Sequence, residues 1–382
     1  MIIKIVIYAT QALALFYVFL MVYFKNGWVR LRTYIPTEHS IEPKFSIIIP
    51  ARNEEKNIGF CLLRLINQSY ASNLFELIIV DDYSEDKTAE TVKQIIKEFP
   101  HISISLLAMS DYPKVKNSFK KAALKVGIDA AKNEWIITTD ADCLRNEKWL
   151  QTIAFFITDE NPVFISAPLS FYSNKSFFQR IQSLEFLGLI AIGAACIQRK
   201  HPILCNGANL VYKKEVFYEV GAYENIDGIA SGDDELLMHK IHEKYPHEIL
   251  FLKHPDAIVY TAACDHLSQF IQQRKRWVSK STTYKNKWIT IILILNYLYN
   301  LSILACLILA FYKFQFVLVT MWLLVVKISV EYDFYREVLK FFKQRALIKW
   351  VIPASFLHIV YVLFIGIYGN FGKYKWKGRI VK

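Results

Sequence analysis

The sequence contains few cysteines, and none has the spacing that holds a metal ion. The six cysteines are scattered, with no C-x-x-C pair and no group of cysteine and histidine at the spacing of a zinc site. We therefore expect neither zinc nor structural disulfides, and scattered thiols fit a reducing cytoplasm. Internal repeats and low-complexity linkers are also lacking.

Polar residues are too scarce for a purely soluble protein. Hydrophobic residues make up 54% of the chain and aromatic residues 15%, and the mean hydropathy is +0.23. This composition predicts a membrane protein. The net charge of +12 fits either nucleic acid or a membrane surface. Many basic residues flank apolar stretches, notably in residues 336–349 and 372–382, which favours lipid headgroups and makes nucleic acid the weaker alternative.

Charge is missing from three long stretches. Residues 5–24, 288–312 and 350–371 contain no Asp, Glu, Lys or Arg, and at about 1.5 Å per residue each can cross a hydrocarbon core of about 30 Å. Residues 314–326 are shorter, and we expect them to span only if Lys327 reaches an interface. No small-x-small cleavage site follows the first stretch, so we interpret it as an uncleaved anchor.

The membrane topology contains a conflict. Basic residues after the first span (Lys25, Arg30 and Arg32) place the next region in the cytoplasm. Four full crossings would then put the basic C-terminal tail outside. Either the charge rule is violated or one C-terminal segment is re-entrant or interfacial, and Pro353 makes the last segment a candidate.

The polar region between the first two spans predicts a doubly wound α/β domain. Short β-branched runs predict strands at residues 45–50, 75–80, 102–107 and 135–140, and helical patterns lie between them. This alternation implies right-handed crossovers and a parallel sheet. Residues 186–197 are apolar but too short to span, so we expect an interfacial helix, with a buried core helix as the alternative.

Four acids follow the predicted strands. Asp81 and Asp82 follow the second strand, and Asp140 and Asp142 follow the fourth. Ligands bind beyond the carboxyl ends of such strands, so these acids are expected in one crevice. Residues two apart in an extended segment face the same side, and two close carboxylates suit Mg2+ or Mn2+ bound to a phosphate. Alternatively, Asp-x-Asp only caps turns and helix starts.

A set of ordered motifs resembles the membrane-embedded family 2 glycosyltransferases, whose members include cellulose, chitin and hyaluronan synthases and ceramide glucosyltransferase. SIIIPARNEEKNI resembles the first strand and nucleotide-binding loop of their GT-A fold, and IIVDDYSEDKT resembles the second. The resemblance implies that Pro50, Arg52, Glu54 and Asp82 bind the nucleotide sugar. It also implies this role for Lys121, because KKAALKVGIDAA resembles the Gly-Lys-Ala-x-Ala helix, with Lys120 as the alternative match.

The remaining motifs carry the expected chemistry. TDADC resembles the family Asp-x-Asp, which implies Asp140 on the nucleotide sugar and Asp142, with Asp140, on the metal. SGDDELLMHKI resembles the Glu-Asp motif and implies Asp234 as the catalytic base with Asp233 beside it, although Asp233 also fits a helix cap. QRKRW is similar to the family's Q-(Q/R)-x-R-W motif. It implies a diphosphate or acceptor role for Gln273, Arg274, Arg276 and Trp277.

The resemblance also implies a domain plan. We expect a transmembrane anchor at residues 1–27, a cytoplasmic GT-A domain (Rossmann-like) at 44–285, membrane helices at 286–370 and a basic tail at 371–382. The expected enzyme inverts the sugar of a nucleoside-diphosphate donor, with UDP-sugar favoured, and uses Mg2+ or Mn2+. The expected acceptor is a lipid or a membrane-bound glycan, and the expected location of the enzyme is the bacterial inner membrane.

Three alternatives remain. A processive β-polysaccharide synthase shares the Q-(Q/R)-x-R-W motif. A sugar-phosphate nucleotidyltransferase shares the acidic crevice, but it normally has a glycine-rich loop after the first strand, whereas this loop has no glycine before Gly59. A non-catalytic membrane scaffold or transporter fits less well, because the polar domain is large and the spans contain few charges.

Overall fold

The structure is a computed structural model that describes residues 1–37, 43–115, 117–280, 286–369 and 374–381. The chain divides into two compact units. We call Met1–Arg30, Asn174–Ala195 and Cys264–Tyr374 the helical unit, and Leu31–Ser173, Cys196–Ala263 and Lys375–Lys382 the sheet unit. The boundary expected after residue 285 and part of the tail, residues 371–373 and 382, lie outside the described residues.

The described residues form α-helices and strands that alternate across residues 45–160 but not in the rest of the chain. The helices are α1 Ile2–Arg30, α2 Ile58–Ile66, α3 Thr88–Glu98, α4 Phe119–Ala130, α5 Trp149–Glu160, α6 Phe177–Gln198, α7 Lys214–Glu219, α8 Glu235–Lys244, α9 Leu267–Val278, α10 Lys287–Leu309, α11 Gln315–Phe341 and α12 Val351–Tyr368. The strands are β1 Phe45–Ala51, β2 Phe75–Asp81, β3 Ser103–Ala108, β4 Trp135–Thr138, β5 Phe164–Ser166, β6 Leu169–Phe171, β7 Leu210–Lys213, β8 Ile249–Phe251, β9 Val259–Thr261, β10 Tyr374–Trp376 and β11 Arg379–Val381.

The sheet unit contains a seven-stranded sheet in the order β3-β2-β1-β4-β7-β5-β8. The first four strands of the chain are parallel, with Phe45 opposite both Phe75 and Trp135. This confirms the α/β fold class and the four predicted strands. Strand β7 runs antiparallel to β4 and β5, so the second half of the sheet is mixed.

The first strand is apolar on both faces because the sheet is covered on both sides. Ile47, Ile48 and Ile49 are fully buried although their side chains alternate in direction. Helix α4 packs so closely on the sheet that a Cβ on Gly127 would lie 2.5 Å from Cγ2 of Ile48. These helices cover the sheet and leave the carboxyl ends of its strands for polar loops.

Five described helical segments are long and apolar enough to cross a membrane. They are Ile3–Arg30, Phe177–Gln198, Lys287–Leu309, Gln315–Phe341 and Arg345–Tyr368. The second was expected to be too short, but the helix starts nine residues before the apolar run. Strands β5 and β7, on either side of it in the chain, are neighbours in one sheet. A single crossing there would separate them, and most of the helix is buried, so the core-helix alternative describes α6 better than the interfacial one.

Lys327 does not reach an interface, which corrects the sequence-based expectation. Its side chain is fully buried, and its Nζ lies 2.6 Å from Oε1 of Glu331 one turn later on α11. The hydroxyl of Tyr17 donates to the same oxygen at 2.5 Å. The apolar helix therefore continues through the lysine because the charge has a partner. Pro353 also does not interrupt its helix, because it lies in the first turn of α12, where no backbone N–H is needed.

Candidate active site

The acids predicted from the strand order meet at one edge of the seven-stranded sheet. Glu54 follows β1, Asp82 follows β2, and Asp140 and Asp142 follow β4. These three strands are adjacent and parallel, so their carboxyl ends lie side by side. The sheet topology therefore gathers carboxylates that are far apart in sequence.

Asp140 and Asp142 form a pair suited to a divalent cation. One ligand atom from each of Asp140, Asp142 and Cys143 lies within 4.8 Å of the others. Burial, followed by the charges of Asp140 and Glu54, raises the pKa of Asp142. Burial also raises the pKa of Cys143, so its thiol stays protonated and is a poor ligand at neutral pH. The two carboxylates fit Mg2+ or Mn2+, because a cation would relieve their repulsion.

Lys120 contacts the acids. Its Nζ lies 2.8 Å from Oδ1 of Asp140 and 3.4 Å from Oδ2 of Asp233. Although burial lowers the pKa of Lys120, these two carboxylates raise it above the ordinary value, and the side chain remains charged. Lys120 thus links the Asp-x-Asp segment to the acids before α8.

Lys121 has a different position from the one predicted. Its side chain is 2% exposed, and its Nζ donates to the backbone carbonyls of Ile226, Ile229 and Ser231 at 2.7, 2.6 and 2.8 Å. A lysine that binds three carbonyls holds a loop in place. Of the two lysines that could match the family motif, Lys120 contacts the acids, whereas Lys121 binds the loop at residues 226–231. A nucleotide role for Lys121 stays a prediction.

Asp234 combines the predicted catalytic position with a structural contact. It caps α8, because Oδ1 accepts from the backbone N–H of Glu235 at 2.8 Å, while Oδ2 accepts from that of Gly207 at 3.0 Å. The sequence also fits Asp233 as this cap, but Asp233 faces Lys120 instead. Both oxygens of Asp234 thus contact backbone N–H groups, one on α8 and one at Gly207.

Gly207 lies where the acids meet. A Cβ there would come within 3.1 Å of Oδ2 of Asp233 and 3.5 Å of both Cβ of Asp234 and Nζ of Lys120. Its carbonyl accepts from Oγ1 of Thr138 at 2.9 Å, which ties the segment to the end of β4. A Cβ at 3.1 Å would press on the Asp233 carboxylate, so glycine is favoured here. The contact of this segment with the acids could not be predicted from local sequence pattern.

Arg52, in the loop after β1, holds the loop that follows β2. Its buried guanidinium donates to the carbonyl of Asp82 at 2.9 Å, to the carbonyl of Tyr83, and to Glu85 at 3.0 Å. Pro50 lies in β1 opposite Val80 and forms part of the sheet. Arg52 is therefore a support for the Asp82 loop, while Glu54 and Asp82 are the acids of this region.

Two tail residues reach these acids, and sequence reasoning missed both. Nη1 of Arg379 lies 2.7 Å from Oδ2 of Asp82. Nζ of Lys377 pairs with Oε1 of Glu54. The basic composition of the tail had been attributed to lipid headgroups alone, because no local pattern marks it as part of the sheet unit.

The QRKRW residues lie on α9 in the helical unit, whereas the acids belong to the sheet unit. Arg274 is 1% exposed and forms a two-pronged pair with Glu185, with Nη2 to Oε2 at 2.6 Å and Nε to Oε1 at 3.0 Å. Its guanidinium lies 4.1 Å from the ring centre of Trp277, and it donates to Gln273. Arg274 is thus committed to a structural ion pair, while Arg276 on the same helix is half-buried.

Comparison with known proteins agrees with this geometry. Residues 46–221 match the model of Glycosyl transferase family 2, and residues 135–368, more than half of the chain, match Glycosyl transferase family group 2. The chain is 28% identical over 109 residues to the glycosyltransferase AglE of Haloferax volcanii, which is 28% of this chain and 34% of AglE. It is 23% identical over 255 residues to poly-beta-1,6-N-acetyl-D-glucosamine synthase of Staphylococcus epidermidis, which is 64% of this chain and 56% of the synthase.

A solved structure shares the fold. The mannosyltransferase PcManGT from Pyrobaculum calidifontis, solved with GDP-Man and Mn2+, has a TM-score of 0.58 and 15% identity, and the match covers 94% of this chain and 99% of that one. The chain spans about a third to a little over half of the length of the two curated relatives above. The family matches, together with the GT-A fold and the acids at the ends of its strands, identify the chain as an enzyme of the family 2 glycosyltransferases.

Proposed function

We propose that the protein is an inverting glycosyltransferase of a cell membrane. It moves a sugar from a nucleoside diphosphate, with a UDP-sugar favoured, to a lipid or a membrane-bound glycan. The observation that carries this proposal is the junction at Gly207, where the Asp-x-Asp segment, Lys120 and the acids before α8 come within contact distance. The residues to which we assign donor, metal and base roles all belong to the sheet unit.

The proposed reaction is one direct displacement. Asp234 accepts the proton of the acceptor hydroxyl, and the acceptor oxygen forms a bond to the anomeric carbon. The bond from that carbon to the diphosphate oxygen breaks, and the nucleoside diphosphate leaves with the electron pair. One displacement inverts the anomeric centre, so an α-linked donor gives a β-linked product.

Each acid is assigned to a different part of the donor or to its metal ion. Asp82 binds the base or ribose, and Asp140 contacts the nucleotide sugar. Asp140 and Asp142 would hold Mg2+ or Mn2+, and the chemistry that such an ion supplies is stabilisation of negative charge on the leaving diphosphate. Lys120 adds a fixed positive charge beside Asp140. Arg276 and Trp277 remain candidates for the diphosphate and the acceptor sugar.

Four described apolar helical segments besides the core helix α6 support a membrane location, which we propose to be the bacterial inner membrane with the sheet unit in the cytoplasm. A lipid or short glycan acceptor is favoured because a polymer channel needs many crossing helices. The likeness to poly-beta-1,6-N-acetyl-D-glucosamine synthase over 64% of this chain supports the second candidate, a processive polysaccharide synthase.

The decisive experiment supplies labelled UDP-sugars to membranes that contain the protein. We expect label in the chloroform-methanol extract as a lipid carrying one sugar or a short glycan, with release of UDP. Label in an insoluble polymer would favour the processive synthase. Release of pyrophosphate instead of UDP would contradict the proposal and favour a nucleotidyltransferase.

A further inference from the structure

The C-terminal hairpin, residues 374–381, folds onto the acids of the sheet unit. Strands β10 and β11 pair with each other around a two-residue turn at Lys377 and Gly378. Both turn residues have positive φ angles, 43° and 83°, as a tight hairpin requires. The turn therefore puts a lysine at the tip of the hairpin and Arg379 just after it.

We propose that this hairpin completes the pocket for the donor nucleotide. Arg379 is a positioning residue that orients Asp82 toward the base, and Lys377 contacts the diphosphate. The inference rests on the proposed function, since it concerns the same donor. It adds two residues that lie about 300 positions from the predicted nucleotide motifs.

Arg379 contacts only one of the two carboxylate oxygens of Asp82. Nη1 donates to Oδ2 of Asp82 at 2.7 Å, and Nη2 donates to the backbone carbonyl of the same residue at 3.1 Å. The guanidinium lies 4.0 Å from the ring centre of Phe119, which adds a cation–π contact. These contacts hold the carboxylate in one orientation.

The second oxygen of Asp82 is kept available. Asp82 is 3% exposed, and its Oδ1 has no hydrogen-bond partner among the residues that the structure describes. A buried carboxylate oxygen without a donor is unfavourable, so the site is complete only when a ligand supplies an N–H or O–H. An Arg379 that blocked the pocket would be expected to occupy both oxygens.

The hairpin is attached to the nucleotide loops through a second arginine. Nε of Arg52 donates to the backbone carbonyl of Lys377 at 3.1 Å, while the rest of its guanidinium binds the loop that contains Asp82. One buried cation thus joins the hairpin turn, the first loop and the second loop. This arrangement is a built contact between three segments of the sheet unit.

Lys377 supplies charge where the diphosphate is expected. It pairs with Glu54, which follows β1 at the same sheet edge as Asp82, Asp140 and Asp142. The lysine side chain is 32% exposed, so a ligand can reach it. A polyanionic donor must approach Glu54, Asp82, Asp140 and Asp142. Two tail cations reduce the resulting repulsion.

The test compares binding of UDP in the presence of Mn2+ with binding of uridine, using the full-length chain in detergent. We expect Arg379→Gln to weaken UDP and uridine alike by about tenfold or more, because the base contact through Asp82 is lost. Lys377→Gln is expected to weaken UDP by about tenfold but to leave uridine unchanged. Arg379→Lys should recover part of the lost affinity. Deletion of residues 374–382 should weaken UDP binding as the two substitutions do together, and should weaken uridine binding as Arg379→Gln does.

Two controls separate positioning from folding. Lys244→Gln removes a positive charge from an exposed pair with Glu219, and it should not change either affinity. Arg379→Gln added to Asp82→Asn should weaken uridine binding no further than Asp82→Asn alone. A further loss in the double variant would overturn the positioning role.

Opposite outcomes are equally informative. Unchanged UDP binding by Arg379→Gln or by the deletion variant would overturn the inference, because the hairpin would then not contribute to binding. Tighter UDP binding would also overturn it, because the hairpin would then block the pocket. If the wild type transfers sugar and binds UDP while the tail variants match it, only this inference fails. If the wild type binds neither UDP nor GDP and releases neither from any sugar donor, the proposed function fails.

Discussion

Nζ of Lys120 lies 2.8 Å from Oδ1 of Asp140, and the next residue, Lys121, points to three backbone carbonyls instead. Adjacent lysines on one helix therefore have different tasks. Residues one apart on a helix face directions that differ by about 100°, so only one of them can reach the acids.

Substitution of the two lysines should separate activity from stability. Lys120→Gln is expected to lower kcat/KM by about tenfold or more with little change in Tm, because a charge beside the donor is lost. Lys121→Met should lower the stability by about 2–3 kcal/mol, because buried carbonyls lose their donor. Thermal unfolding and transfer assays on both variants check this. The reverse pattern would contradict the assignment.

Uridine binding should weaken at acidic pH. Burial raises the pKa of Asp82, and the nearby Arg379 and Arg52 only partly oppose it. The carboxylate must be ionised to accept a hydrogen bond from the base, so binding is present above this raised pKa and is lost as the pH falls through it. Arg379→Gln removes an opposing cation and should move the loss to higher pH. Uridine affinity is measured against pH for the wild type and for Arg379→Gln, with EDTA present to remove metal effects. Coinciding pH profiles of the two proteins would contradict this prediction.

The buried pair of α11 should be essential for stability. Glu331→Gln leaves Lys327 buried without its anion, and we expect a cost of about 3–5 kcal/mol. The double variant Lys327→Met and Glu331→Gln should recover part of that stability. The partly exposed pair of Lys25 and Asp333 offers a control, since Lys25→Gln should cost no more than about 1 kcal/mol. Equal Tm changes for Glu331→Gln and Lys25→Gln would argue against the buried network.

The tail should lie on the same side of the membrane as the sheet unit. Lys377 and Arg379 contact acids of that unit, so the chain between Ala263 and Lys375 is expected to cross an even number of times. At least one of the three candidate spans in this stretch would then not cross. A green fluorescent protein fused after Lys382 should therefore fluoresce in bacterial cells, and alkaline phosphatase fused there should be inactive. Active phosphatase would show that the tail is outside and would exclude its contact with the acids in the cell.

The sequence predicted the parts of the fold that depend on local pattern. The β-branched runs of β1 and β2 and the helix between them follow from hydrophobic periodicity, and the grouping of Asp82 with Asp140 follows from parallel strand order. Lys327 was harder, because its partner Glu331 is recognised only when burial is known. The spacing of four residues was available as a signal.

Long-range contacts account for what could not be predicted. The antiparallel pairing of β7 with β4 brings Gly207 to the acids, and no local pattern specifies that direction. The contact between Arg379 and Asp82 joins residues 297 positions apart. Such pairs depend on the completed sheet, so single-sequence periodicity contains no trace of them.

Transfer by an Asp234→Asn variant tests the central claim most directly. Initial rates of UDP release and of label transfer from a UDP-sugar to the extracted acceptor are compared with those of the wild type. Asparagine keeps one acceptor oxygen for the cap of α8, loses the second contact, to the N–H of Gly207, and cannot accept the proton. We therefore predict a loss of about 10²–10⁴-fold in kcat, with unchanged UDP affinity and a Tm lowered only by the lost contact to Gly207. A rate close to that of the wild type would contradict the proposal that Asp234 is the base of this transferase.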